Sequence, residues 1–222
     1  YASTDEIRYF MNGVFLAENG DIAATDGKRL GVVKTDFKFG NWLIKRDVFG
    51  KLKKAKEIRI EALLFEPGLK VLRLSGGGLS VLCRPINGNF PSYKKVIPDK
   101  FNRMEKNGIE FDYAKYKAFI KESTGGKGDL GTVVLYKGSI WCGNTEVGSL
   151  NFQADKPIFM NPQQLADALK DGGNISWSED EKSGEVMKAV LFGTKRQMSV
   201  VMPKFRNDNA MPSKINDKGE NR

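Results

Sequence analysis

A chain of 222 residues with 40% hydrophobic side chains is long enough for one large domain or for two, each with its own core. It contains no histidine, which excludes Ser-His-Asp and Cys-His catalysis and any imidazole metal ligand. Its 36 Lys plus Arg against 27 Asp plus Glu give a net charge of +9, the balance of a protein drawn to polyanions by counterion release.

The first half reads as short strands with turn signals between them. "IRYFM", "VFLAE", "IAAT" and "RLGVVKT" follow one another with Asn12-Gly13, Asn19-Gly20 and Asp26-Gly27 in between, dipeptides that supply the positive φ of tight hairpins. This predicts a meander of four strands. "IKRDVFGKLKKAKE" then places Ile44, Val48, Phe49, Leu52 and Ala55 at helical spacing with lysines and Arg46 on the remaining positions, predicting a basic amphipathic helix over 44–56. "EIRIEAL", "LKVLRLS" and "LSVLCRP" predict three more strands, the last two joined by Gly76-Gly77-Gly78. "NGNFPSYKKVIP" (87–98) follows, and its two prolines end the strand pattern, so it reads as a connector.

In the second half Tyr113, Tyr116, Phe119 and Ile120 form one stripe of a helix over 112–122, with Lys115, Lys117 and Lys121 mostly off it. "TVVLY", "SIWCG", "VGSLNFQA", "PIFM", "NISWS", "MKAVLFG" and "QMSVVMP" predict strands. Between the fourth and fifth of these, "NPQQLADALKDGG" predicts a helix capped by Asn161, with Pro162 in its first turn, Leu165 and Leu169 facing inward and Gly172 at its end. Residues 41–85 and 157–203 repeat one order of strand, helix, strand, hairpin, strand. Leu52 and Leu169 are 117 residues apart, as are Ile58 and Ile175, and Pro85 and Pro203 are 118 apart. A period this long predicts a duplicated domain: domains over 1–90 and 104–204, a connector over 91–103, and a polar tail over 205–222.

No catalytic constellation emerges. "TGGKG" (124–128) lacks the spacing of a phosphate loop. Glu105/Glu110 and Asp180/Glu181 sit among mixed charges without the apolar setting that would raise a pKa, so they read as solvated surface. Cys83 and Cys142 lack CxxC spacing and read as buried thiols, with no disulfide framework or zinc site. No apolar run reaches the roughly 18 residues that span a bilayer and the first residues lack the order of a signal peptide, so a soluble, cytoplasmic, non-enzymatic protein without cofactors is expected. Exposed lysines would contact phosphates, which offer the same charge at every base pair, so binding would be blind to sequence.

"IRYFMNGVFLAENGDIAATDGKRLGVV", followed by "NGNFPSYKKVIP" and a closing "SVVMP", resembles the bacterial sliding clamp, the β subunit of DNA polymerase III, over about 200 residues in register with the second and third of that family's three domains. The resemblance implies an α+β fold of two tandem DNA-clamp domains, with β-sheets outside and amphipathic helices on the inner face of a ring around duplex DNA. Helices over 44–56, 112–122 and 161–170 would line the channel, with Lys45, Arg46, Lys51, Lys53, Lys54, Lys115, Lys117 and Lys121 as the DNA-binding residues. It also implies a pocket for polymerase and clamp-loader peptides. The matching positions are Met11, Thr25, Gly27, Lys28, Arg29, Leu30, Pro91, Lys95, Val96, Asn161, Gln164, Val200, Val201, Met202 and Pro203. Lys28 stands where the family usually has histidine, and Gln164 where an aromatic is common, so peptide preference would differ. With the first domain absent, the chain is expected to be a fragment of a homo-oligomeric ring protein or to close the ring as a trimer. The alternative is a clamp-like decoy or regulator that binds polymerase or loader peptides without encircling DNA.

Overall fold

The computed structural model of the chain describes residues 1–4, 7–66, 69–99, 101, 103–106, 108–124, 131–152, 156–170, 174–178, 189–194 and 196–204. It divides into two compact units, Tyr1–Lys94 and Lys95–Arg222, so the division falls inside the 3-10 turn Tyr93–Val96 of the proline-flanked strip.

In the first unit, β1 (Gly13–Leu16), β2 (Asp21–Thr25) and β3 (Arg29–Lys34) form an antiparallel meander, and β4 (Trp42–Lys45) pairs with β1 on its open side. A Cβ on Gly13 would lie 2.8 Å from both the Ile44 carbonyl oxygen and Leu43 Cδ1, so this pairing needs glycine there. The chain then turns through α1 (Arg46–Lys51) into a second meander of β5 (Arg59–Glu66), β6 (Leu69–Gly76) and β7 (Leu79–Cys83). Leu16 and Ile44 from one sheet, Leu72 and Leu74 from the other, and Val48 and Leu52 from α1 and its end close a single core.

In the second unit, β8 (Arg103–Glu105) and β9 (Ile109–Phe111) precede α2 (Tyr113–Thr124). β10 (Val133–Tyr136), β11 (Ser139–Cys142) and β12 (Thr145–Leu150) form a meander, with β13 (Ile158–Met160) added beside β10 and β9 beside β12. α3 (Pro162–Leu169) leads to β14 (Ile175–Trp177), β15 (Val190–Gly193) and β16 (Gln197–Val201), with β8 on the outer side of β14. Tyr116 and Leu165 from the helices, Ile140 from one sheet, and Trp177 and Phe192 from the other, none more than 2% exposed, share one core. Each unit thus has a three-strand meander, a fourth strand on its first member, a helix, and a second meander. This is an α+β architecture built twice.

Three expectations are corrected. The basic helix is six residues long, not thirteen: Ile44 and Lys45 belong to β4, and 52–54 are turns, with Leu52 N–H donating to the Phe49 carbonyl and Ala55 N–H to that of Leu52. Gly50 and the like charges of Lys51, Lys53, Lys54 and Lys56 work against further helix, and burial of Val48 and Leu52 satisfies the apolar stripe within one turn and a half. "IRYFM" is no strand. Tyr9–Met11 is a 3-10 turn closed by Met11 N–H to the Arg8 carbonyl and Asn12 N–H to that of Tyr9, with Met11 its buried residue. The fourth strand of the first meander is accordingly β4, not a segment before β1. β8 and β9, three residues each, carry no strand signal of their own in the sequence. The 125–130 loop, Asp180/Glu181, Gly172 and the 205–222 tail lie outside the described residues.

The part of the strip that lies in the first unit, 87–94, is fixed there by its aromatics. Phe90 stacks on Phe15 with ring centroids 5.1 Å apart, and Tyr93 meets both edge-on. The Tyr93 hydroxyl donates to the buried Asp21 carboxylate at 2.7 Å, and Asn19 Nδ2 donates to the same oxygen at 2.8 Å. Burial, followed by the hydrogen bond and charge of Asp21, pushes Tyr93 far above the ordinary phenol range. The neutral hydroxyl is therefore favoured in the folded state, and the stability it contributes is full below the unfolded tyrosine value of about 10 and is lost as pH rises beyond it. Tyr93→Phe is expected to cost about 1–3 kcal/mol at neutral pH, because Asp21 loses a buried donor. Urea titrations between pH 8 and 11 should show wild-type stability falling more steeply above pH ~10 than that of the variant.

Candidate functional site

The cations of α1 and α2 are sorted from the apolar residues by burial. In the first unit Lys45, Arg46, Lys51, Lys53 and Lys54 are exposed while Val48 and Leu52 are buried. In the second, Lys115, Lys117 and Lys121 are exposed around Tyr116, which is fully buried, and Asp112 Oδ1 caps the helix by accepting from Ala114 and Lys115 N–H at 2.9 Å. Asp47 lies beside Arg46, with Oδ1 3.4 Å from Nε, and Lys117 Nζ sits 5.7 Å from the centre of the Tyr113 ring. All eight predicted DNA contacts are therefore at the surface, five in one unit and three in the other.

Some cations elsewhere are partly neutralised. Arg73 binds Glu61 at 2.7 Å with Arg59 3.8 Å from the same carboxylate. Lys170, the one cation at the end of α3, lies 2.7 Å from Asp167. α3 itself carries no Lys or Arg. Diffuse, mobile ammonium groups on a rigid backbone suit contact with a polyanion whose charge repeats regularly.

The residues expected to line a peptide pocket fall in both units, with Met11, Thr25–Leu30 and Pro91 in the first and Lys95, Val96, Asn161, Gln164 and Val200–Pro203 in the second. In the first, Thr25–Leu30 form the β2–β3 turn. The Thr25 hydroxyl donates to the Arg29 carbonyl at 2.7 Å and accepts from Gly27 N–H at 3.0 Å, and Asp26 Oδ1 accepts from Lys28 and Arg29 N–H. Gly27 has φ +86° and Met11 packs close to it: a Cβ there would lie 3.7 Å from Met11 Cε. Met11, Thr25 and Leu30 are buried, Gly27 and Lys28 are exposed, and half-buried Arg29 is held by Asp26 at 2.9 Å with its guanidinium 5.0 Å from the centre of the Tyr1 ring. Pro91 is half-buried, and Lys95 and Val96 are exposed on the 3-10 turn.

In the second unit Asn161 caps α3, its Oδ1 accepting from Gln164 N–H at 3.0 Å, and α3 packs on β15 and β16. Lys204 N–H donates to the Phe159 carbonyl at 2.7 Å, which brings the end of β16 back beside β13. Val200 and Val201 are buried, Gln164 and Pro203 half-buried, and Met202 is 48% exposed. Met202 is thus an apolar group presented to solvent beside a polar helix start.

Both thiols are free, Cys142 buried and Cys83 half-buried, and burial pushes each above its ordinary value, the opposite of an activated thiolate. Among the described residues no group of three or more Cys, Asp or Glu could hold a metal ion, and no helix is long and apolar enough to cross a membrane. Glu105 and Glu110 sit on strands of different sheets.

No protein-family model matches the sequence, and comparison with curated proteins finds no match. Solved structures do match. Similar are a sliding clamp, DNA polymerase III subunit beta, from Bartonella birtlesii bound to griselimycin (TM-score 0.65, 19% identity, 92% of this chain and 61% of that one) and subunit beta from Borrelia burgdorferi in complex with a natural product (0.68, 16%, 93% and 58%). A DNA polymerase sliding clamp from Pseudomonas aeruginosa matches at 0.62 with 19% identity over 92% and 60%. The chain has the DNA-clamp fold. It spans about 60% of the length of these clamps.

The sequence pointed to the cations through their spacing around an apolar stripe, and to the second group through family resemblance alone. It gave no sign of the Tyr9–Asn12 turn as a surface feature, although Tyr9 is 52% exposed. Asn161→Ala is expected to lower the stability of the second unit by about 1 kcal/mol, the usual worth of a side-chain cap, in chemical denaturation. An unchanged midpoint would mean that the cap does not hold α3.

Proposed function

We propose that the chain is a DNA sliding clamp, or the two-domain portion of one: a non-enzymatic processivity factor that encircles duplex DNA without reading its sequence and binds polymerase and clamp-loader peptides. The observation that carries this reading is the exposure of eight cations on and around α1 and α2, in a protein of DNA-clamp fold, while the apolar residues of the same helices are locked in two separate cores. A closed ring is retained by topology, so individual phosphate contacts can be weak and exchange rapidly as the protein slides. A polymerase tethered to the ring rebinds its primer end at high effective concentration, which raises processivity without a new chemical step.

Peptide binding would use the two groups of residues described above, with Met202 and Val96 as apolar contacts open to solvent and the Thr25–Leu30 turn as a preorganised edge. The buried Leu30 and Val201 would support that surface from beneath.

Replacing Lys51, Lys53 and Lys54 together by Glu should leave the melting transition nearly unchanged, because all three are exposed. The same change should weaken duplex binding and reduce the slope of log affinity against log salt by about 0.9 for every phosphate that is no longer neutralised. An unaltered slope would remove α1 from the interface. Met202→Asp is expected to abolish capture of a fluorescein-labelled clamp-binding peptide while duplex affinity is preserved; persisting capture would displace the peptide site. Light scattering with retention on nicked circular DNA separates the two functional readings. A ring stays on the circle and leaves when it is linearised, whereas a monomer that captures peptide and is retained on neither form is a clamp-like regulator.

A further inference from the structure

In the first unit two adjoining hollows of about 450 and 460 Å³ share Tyr9, Lys45 and Ile86 in their walls. Arg46 stands on the first and Arg84 on the second, with Lys45 common to both; the one carboxylate among the described residues that line them is Asp47, beside Arg46. The Tyr9 ring is half exposed and is braced edge-on by Phe10 at 5.8 Å and 76°, so it forms a firm aromatic wall. Between wall and floor, the side-chain carbonyl of Asn12 is buried with no hydrogen-bond partner, an acceptor left waiting for a donor. Neither duplex binding nor peptide binding, as proposed above, uses Tyr9, Asn12 or Arg84.

Each wall selects a part of one ligand. A planar ring is what an exposed tyrosine face and an apolar Ile86 would hold by stacking. A buried amide carbonyl asks for an N–H from that ring's edge. Arg46 lines one hollow and Arg84 the other, with Lys45 and Tyr9 common to both, which suits two phosphates flanking one base. A free nucleotide has phosphate on one side only, and a duplex keeps its bases paired and stacked out of reach. We propose that this groove binds a nucleotide unit of single-stranded nucleic acid, with the base on Tyr9 and Asn12 and the flanking phosphates on Lys45 with Arg46 and on Lys45 with Arg84. Strand binding here rests on the clamp reading only in that Lys45 and Arg46 are also assigned to duplex phosphates, and it stands if ring closure fails.

Fluorescence anisotropy with an oligo-dT strand and with a blunt duplex tests it. Tyr9→Ala should weaken strand binding about tenfold, since base stacking on an aromatic side chain is removed, with Tyr9→Phe near wild type and duplex affinity unchanged in both. The charge-reversed Lys51/Lys53/Lys54 variant should do the opposite, losing duplex and keeping the strand, so that failure of this groove and failure of the duplex reading are told apart. Strand binding untouched by Tyr9→Ala would overturn the proposal. So would displacement of the strand by dTTP at equal nucleotide concentration, which marks a free-nucleotide site, or equally well by poly-glutamate, which marks an acidic-peptide site. Ultraviolet cross-linking of an iododeoxyuridine strand should place the adduct on the Tyr9–Asn12 turn, and an adduct confined to other residues would count against it.

Discussion

The placement of the exposed cations around α1 and α2 depends on burying one face of two short helices. Val48 and Leu52 reach the core shared by the two sheets of the first unit, and Tyr116 reaches that of the second. An unpaired ammonium in either core would cost far more than a helix of six or twelve residues can return, so the lysines are forced to the opposite side. The direction in which positive charge projects is thus a consequence of apolar packing, and it is set separately in each unit.

The same logic explains why so much irregular chain surrounds α1. Charge repulsion among Lys51, Lys53, Lys54 and Lys56 disfavours continued helix, yet the turns that replace it hold the same lysines at the surface. Contact with phosphates does not need cations on an ideal helix; it needs them exposed and fixed to a rigid frame. On β5 and β6 Arg73 and Arg59 share Glu61, and at the start of α1 Arg46 has Asp47 beside it. The strip 87–98, which combines aromatics with lysines, commits its aromatics to structure: Phe90 and Tyr93 lock onto Phe15 and Asp21.

Local chemistry was legible in the sequence, and distant pairing was not. Asn19-Gly20 and Asp26-Gly27 marked hairpins, whereas Asn12-Gly13 follows a 3-10 turn with Gly13 opening β1 at ordinary φ; Asn161-Pro162 marked the start of α3, and the 117-residue offset pointed to a repeated order of elements. β8 and β9 were invisible because three residues carry no period, and their strand character comes from partners at 175–177 and 148–150. The Tyr93–Asp21 bond joins residues 72 apart, and the Tyr9–Asn12 wall looks like a strand until the tertiary structure leaves Tyr9 without a ladder. Of the candidate site, the cations followed from helical spacing, whereas the packing of Met11 on Gly27 and the cap at Gln164 needed coordinates.

The central claim is that the exposed sides of α1 and α2 lie against the phosphates of a duplex. The most direct measurement is photo-cross-linking to a duplex carrying azidophenacyl groups on backbone phosphorothioates, followed by peptide mapping. The account predicts adducts in Lys45–Lys54 and Lys115–Lys121 at similar yield for unrelated DNA sequences, with none on Arg59 or Arg73. Adducts concentrated on β5 and β6, or a pattern that changes with base sequence, would contradict it.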